Sequence, residues 1–334
     1  MTTATQIRLK KRPNGVPQDD VWEHTHEAPR QLDEGEIAIE VKYISVDPAM
    51  RGWMTDVPSY VPPVGLGEVM RAGGVGTVTA TKSDKFAVGD MVLGIMGVQT
   101  HYVGTAEGFN KIMPELAPPE KFLGGLGMPG MTAYFGLLDV GQLQHGETVL
   151  VSAAGGAVGS AVGQIAKIKG CRVIGIAGGP EKCAGVVENY GFDACIDYKN
   201  EDVGEAIKTA CPDGVDVYFD NVGGRILEHA LNNMAMKGRI VLCGAVSQMN
   251  NNDGGMKGPS NYMRLLVSRA RMEGFVVFDY RDRFPEAIMQ MMGWIGEGKL
   301  RLDEHMVEGI ENFPEALRML FDGRNKGKLV VKVS

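Results

Sequence analysis

The spacing Ala154-x-Gly156-x-x-Gly159, inside VSAAGGAVGSAVGQIA (151–166), puts small residues where a ligand can come close to the backbone. That arrangement suits phosphate binding, because the start of a helix offers unpaired N–H donors and partial positive charge. Gly156 lets those donors reach a pyrophosphate, and Gly159 lets the helix pack tightly on the preceding strand. Alanine stands first in this version of the dinucleotide fingerprint. A membrane span, the rival for so apolar a stretch, needs about 20 predominantly apolar residues. Ser152, Ser160, Gln164 and four glycines argue against one here.

The next segment bears on which dinucleotide would fit. A site for NAD carries an acid at the end of the second strand, about 20 residues onward. Here that strand ends Ile176-Ala177-Gly178-Gly179-Pro180, and Glu181-Lys182 open the following helix. With no acid present, Lys182 is placed to pair with a 2′-phosphate by a charge-assisted hydrogen bond. The spacing therefore favours NADPH.

These residues need a scaffold, and the chain supplies two rhythms. The first ~125 residues are rich in short, glycine-punctuated strands. Examples are IAIEVKYISV (37–46), VGTVTAT (75–81) and DMVLGIM (90–96), with a proline-rich loop SYVPPVGLGEVM (59–70). They predict a small barrel-like domain. From about 126, apolar strands alternate with helices, which predicts a parallel sheet covered on both faces. The strands are expected at 148–153, 172–178, 194–198, 215–222, 239–246 and 274–280. Between them come helices over 181–190, 201–210, 224–236 and 260–270, and a polar loop over 249–258. A helix over 285–297, a strand over 300–309 and GKLVVKV (327–333) close the chain, the last returning to strand character.

Composition narrows the function. A net charge of -7 over 334 residues disfavours nucleic acid and anionic membranes as partners. The start MTTATQIRLKKRPNG lacks the apolar core of a signal peptide, and the five cysteines (171, 183, 195, 211, 243) have no CxxC spacing. Both point to a cytoplasmic protein with reduced thiols. The 20 methionines read mainly as core packing.

Several stretches together resemble the zinc-free medium-chain dehydrogenase/reductases. They are most similar to the branch of leukotriene/prostaglandin, alkenal double-bond and curcumin reductases. They are SVDPAMR (45–51), the segment 153–183, FDNVGG (219–224), GRIVLCGAVS (238–247), RMEGFVV (271–277) and NKGKLVVK (325–332). The resemblance implies an α/β protein: a GroES-like β-barrel catalytic domain (1–125 and 300–334) and a doubly wound Rossmann domain (126–299) binding NADPH. It implies that Gly156, Ala157, Val158 and Gly159 contact the pyrophosphate and that Lys182 and Tyr198 hold the 2′-phosphate. Asn221 with Cys243, Gly244, Ala245, Val246, Ser247, Gln248 and Met249 would line the coenzyme's path. Phe275, Val276 and Val277 would meet the nicotinamide end, and Asn325 would reach over the coenzyme. A homodimer built through GFVVFDY (274–280) is also implied.

Zinc-dependent relatives use Cys and His ligands with one open position. Residues 1–170 contain no cysteine, and Asp47 and Gly67-Glu68 stand where such ligands are expected. His24-x-His26 is too small a set to fill a site, so a catalytic metal is not expected. Without a Lewis acid, reduction of an alkene conjugated to a carbonyl is the easier chemistry. Hydride goes to the β-carbon, and hydrogen-bond donors stabilise the growing enolate oxygen. Tyr262 is the first candidate donor and Tyr60 the second, with Arg51 a candidate for an acidic substrate tail. The reading is an NADPH-dependent enone or enal reductase. A quinone reductase of the same superfamily and a non-catalytic NADPH-binding protein are the alternatives.

Overall fold

A computed structural model describes residues 3–251 and 255–333. The polar loop expected over 249–258 therefore lies partly outside the described residues. The chain forms two compact units, Met1–Gly124 with Glu304–Ser334, and Gly125–Asp303.

In the first unit, β1 (Ala4–Leu9) and β2 (Trp22–Glu27) form an antiparallel pair. Next, β3 (Glu36–Ser45) alternates as written, burying Ile37, Ile39 and Val41 and leaving Glu36, Ala38 and Glu40 partly exposed. Each such aliphatic side chain contributes about 1.5–3 kcal/mol when fully buried. Asp47-Pro48 ends the strand, and the short α1 (Ala49–Trp53) follows. The sheet continues with β4 (Gly73–Thr81), β5 (Met91–Ile95), β6 (His101–Thr105) and β7 (Asn110–Lys111). One edge of β3 is shared: Glu36–Glu40 pairs with β6, while Tyr43–Ser45 pairs with a strand from the far end of the chain. On its other edge lies β4.

The second unit alternates helix and strand. It comprises α2 (Met128–Phe135), β8 (Thr148–Ser152), α3 (Ala157–Ile168), β9 (Arg172–Ala177), α4 (Pro180–Tyr190), β10 (Ala194–Asp197), α5 (Val203–Ala210), β11 (Val215–Asp220), α6 (Gly224–Asn232), β12 (Met234–Leu242), α7 (Arg264–Ser268), β13 (Arg271–Gly274) and α8 (Phe284–Gly296). All six strands are parallel, in the order β10-β9-β8-β11-β12-β13. Helices on both faces explain why Val149, Leu150, Val151, Val217, Tyr218 and Phe219 are all buried. The chain direction of travel reverses between β8 and β11, which makes their carboxyl ends the binding crevice of such a sheet.

Four expectations need correction. The strand expected over 274–280 ends at Gly274, and residues 277–283 coil into a 3₁₀ helix. Aromatic packing overrides the β-rich composition there: Tyr280 stacks on Phe135 with ring centroids 4.7 Å apart, and Arg283 pairs with Asp139. Helix α6 stops at Asn232, because Met234 pairs with Val215 in the sheet. The helix expected over 260–270 is confined to Arg264–Ser268 and closes on Arg269, which has φ 49°. Finally, residues 300–303 do not join a strand. Gln164 captures Arg301 through both its backbone N–H (2.8 Å) and its carbonyl (2.9 Å).

Beyond them the chain re-enters the first unit as β14 (Glu304–Glu308), α9 (Phe313–Asp322) and β15 (Lys328–Lys332). Strand β15 runs parallel to β14 and antiparallel to β3. Its Lys328 is buried, with Nζ donating to the carbonyl of Val46 (2.8 Å) and pairing with Asp47 (2.6 Å). Among the described residues no helix is long and apolar enough to cross a membrane.

Candidate dinucleotide site

After β8 the backbone turns through Ala153, which has φ 51°, and Gly156 becomes the N-cap of α3. No side chain caps this helix, leaving its first N–H groups available to a ligand. A Cβ on Gly159 would overlap the Ala153 carbonyl oxygen, and one on Gly156 would lie 3.2 Å from the same atom. The turn is thus a cradle that side chains would fill, and it fits a pyrophosphate. Ala157 and Val158 form the first turn of α3 beside it.

A second corner lies at the ends of β9 and β10. The stem of Lys182, on α4, crosses Gly155, and the Tyr198 ring lies over Gly178. Asp197 braces this corner by accepting hydrogen bonds from the N–H groups of Gly179 (2.7 Å) and Lys199 (3.0 Å) and from Asn200 Nδ2 (2.6 Å). Burial alone would raise its carboxyl, but these donors outweigh burial and hold it below the ordinary range.

The third part is the crevice between β8 and β11. Asp220, fully buried, accepts at Oδ1 from the Tyr218 hydroxyl (2.7 Å), Ser152 Oγ (3.3 Å) and the N–H groups of Val222 and Gly223 (both 2.9 Å). Its Oδ2 has no partner, and burial raises its pKa above the usual carboxylate range. Ser152 in turn takes the Asn221 N–H at 2.9 Å, while Asn221 Nδ2 donates to the Ser152 carbonyl at 2.7 Å. Desolvation, with the charge of Asp220 beside it, pushes the Cys243 thiol up to about 12, so it is no nucleophile at neutral pH.

The segment from Cys243 through Met249 is pinned to the same turn. Val246 and Ser247 donate N–H groups to the carbonyls of Asn221 and Val222, each at 3.2 Å. A Cβ on Gly223 would lie 3.1 Å from Ala245 Cβ, so the two loops approach at glycine. Gln248 grips Lys257 through its backbone N–H and carbonyl, and the N–H groups of Cys243 and Gly244 both reach the Asp220 carbonyl.

The remaining candidates are more scattered. The rings of Phe275 and Phe219 both lie against Gly136, with Val276 extended and Val277 opening the 3₁₀ helix. Tyr262 is 59% exposed just before α7. Tyr60 (56% exposed), Arg51 and Asn325 belong to the other unit. Arg51 is only 6% exposed, and it donates to the Gly15 carbonyl (3.0 Å), Thr55 Oγ1 (2.8 Å) and the Pro13 carbonyl (3.4 Å). Bracing the 13–15 turn accounts for it, not the solvent-facing guanidinium that capture of an acidic tail requires. Asn325 Nδ2 donates to the Gly327 carbonyl at 3.1 Å. Among the described residues, no three His, Cys, Asp or Glu side chains gather as a metal site requires.

Sequence reasoning passed over Asp220, Ser152, Asp197 and Gly155. An acid closing an apolar strand ahead of Asn-Val-Gly-Gly was the available signal for Asp220. The others act through contacts distant in sequence.

Comparison with known proteins agrees with this architecture. Residues 5–112 match the family described as the N-terminal domain of oxidoreductase, and residues 157–293 match that described as zinc-binding dehydrogenase. NADPH-dependent curcumin reductase of Escherichia coli (strain K12) is 40% identical over 98% of this chain and 96% of its own. The chain belongs to the medium-chain dehydrogenase/reductase family, in the branch of curcumin and prostaglandin reductases. Within that branch, prostaglandin reductase 1 of Rattus norvegicus is 41% identical over 99% of this chain and 100% of its own. The crystal structure of CurA in complex with NADPH from Vibrio vulnificus superposes with a TM-score of 0.93, at 42% identity and 99% coverage of both chains. The family fold is thus a GroES-like unit plus a Rossmann sheet.

Proposed function

We propose that this protein uses NADPH to reduce the carbon–carbon double bond of α,β-unsaturated ketones and aldehydes. The observation that carries the reading is the corner where Lys182 crosses Gly155 and Tyr198 covers Gly178, beside a glycine turn shaped for a pyrophosphate. Kinship with curcumin and prostaglandin reductases supports the choice of substrate.

In this reading the N-terminus of α3 binds the pyrophosphate, and Lys182 and Tyr198 orient the coenzyme by its 2′-phosphate. When bound, the coenzyme supplies a hydride. The Tyr262 hydroxyl donates a hydrogen bond to the substrate carbonyl oxygen, where negative charge builds as the β-carbon is reduced. The reaction is metal-independent, a reading supported by the commitment of Asp47 to the Lys328 ammonium. The first unit is the catalytic domain and the second the coenzyme domain. The protein is a cytoplasmic homodimer. Exposed Leu266 (69%) and Val267 (60%), close in sequence to the edge strand β13, support the dimer.

The test is a screen of enones, enals and quinones at saturating NADPH, read by loss of coenzyme absorbance. Oxidation with 3-nonen-2-one but not with the saturated ketone is expected. Turnover with quinones alone would overturn the reading in favour of a quinone reductase. Light scattering checks the dimer; a monomer at micromolar concentration would refute it.

A further inference from the structure

Position 155 is open in the dinucleotide fingerprint, and many residue types can stand there. In this chain it is closed by a neighbour. A Cβ on Gly155 would sit 3.0 Å from Cγ and 3.1 Å from Cδ of Lys182. The stem must give by a few tenths of an ångström, and because Cγ and Cδ lie inboard of the ammonium group, the shift carries Nζ with it. Gly178 shows the same relation to Tyr198: a Cβ there would sit 2.9 Å from Cε1, Cζ and Oη of the ring. Neither glycine has a positive φ, so the backbone itself would accept alanine. Only the side chain lying across each one objects.

We propose that Gly155 and Gly178 are coenzyme-specificity residues that seat Lys182 and Tyr198 for a 2′-phosphate. The proposal rests on the reading of Lys182 and Tyr198 as the groups that contact that phosphate. Gly178 also follows the last residue of β9, in the region where an NAD site carries its ribose-binding acid. A side chain at 178 and the Tyr198 ring exclude each other. The ring therefore blocks the NAD-type acid at the same place where it supports NADPH, and selection works by exclusion as well as attraction. Asp197 holds the N–H groups of both Gly179 and Lys199, tying the loop that carries Gly178 to the one that carries Tyr198.

The experiment measures dissociation constants for NADPH and NADH by fluorescence titration in wild type, K182A, G155A, G178A, Y198A and the doubles G155A/K182A and G178A/Y198A. Thermal unfolding checks that each variant is folded. K182A is expected to weaken NADPH by roughly 10- to 150-fold, the worth of one charge-assisted hydrogen bond, with NADH little changed. G155A and G178A should each weaken NADPH by about fivefold or more, again sparing NADH, and each double should lose little beyond K182A or Y198A alone, since paired residues are not additive.

Normal NADPH affinity in G155A and G178A, with the K182A loss present, overturns the proposal and leaves the phosphate reading standing. Normal affinity in K182A overturns the phosphate reading itself. Equal loss of both coenzymes in G155A would place its effect on the pyrophosphate turn and also overturn the proposal. If G155A does not fold, the cycle of G178A with Y198A decides the matter by the same criteria.

Discussion

Removing the Asp220 carboxyl should do more damage than its distance from any solvent-facing chemistry suggests. In D220A the Tyr218 hydroxyl and the N–H groups of Val222 and Gly223 lose their acceptor, while Ser152 Oγ keeps the Phe219 carbonyl at 3.4 Å. Each stranded buried donor costs about 1–3 kcal/mol, so the three together cost about 3–6 kcal/mol after partial relaxation. That is a large share of a typical total of about 5–15 kcal/mol. D220N keeps an acceptor at the Oδ1 position but puts an NH₂ where Oδ2 has no partner, for a smaller loss of about 1–3 kcal/mol.

The pH dependence has a definite sign. Burial raises the Asp220 pKa in the folded state, whereas an unfolded Asp ionises near about 3.9. Between those values the folded state holds a proton that the unfolded state has lost, so stability falls as pH rises. D220N has no such proton, and the wild-type advantage over it should shrink as pH rises through that window. Urea unfolding of wild type, D220N and D220A across a pH series measures both effects. The reasoning fails if D220A lies within about 1 kcal/mol of wild type, or if the gap between wild type and D220N widens with pH.

Other perturbations act on the glycine turn, the buried Lys328 pair and Tyr262. G159A forces a Cβ into the Ala153 carbonyl, so calorimetry should show a loss of about 1–3 kcal/mol together with weaker NADPH binding. K328M takes the cation from Asp47, which keeps the Ser45 hydroxyl and 29% side-chain exposure, so the cost should fall at the low end for a broken buried pair, about 3 kcal/mol by urea unfolding, with partial recovery in D47N/K328M. Y262F should lower kcat for enone reduction by about 10- to 100-fold while leaving the NADPH dissociation constant unchanged; full activity would remove Tyr262 from the mechanism.

The Rossmann-type sheet was legible because its strands are uninterrupted apolar runs and its fingerprint sits between a strand and a helix. Local signals of that kind survive in one dimension. Lys182 could be singled out because a missing acid and a lysine stand a few residues apart. Its seat could not, since the contact with Gly155 spans 27 positions and the fingerprint treats position 155 as open. GFVVFDY misled for a related reason: its β-branched and aromatic residues favour a strand, yet Phe135, far upstream, takes Tyr280 into a stack. Arg51 reads in SVDPAMR as a candidate for an acidic substrate tail or a structural ion pair, and its role as a brace shows only when Pro13 and Gly15 fold back onto it. Where a role depends on a partner distant in the chain, residue type alone is ambiguous.

Following the hydride from coenzyme to product decides whether this protein reduces the enone carbon–carbon bond. NADPH carrying deuterium at C4, prepared separately on each face of the ring, is incubated with the protein and 3-nonen-2-one, and the product is analysed by NMR. A saturated ketone with deuterium on the β-carbon, from one of the two labelled forms, is expected. Deuterium on the carbinol carbon of an unsaturated alcohol, or no transfer from either form, would contradict it.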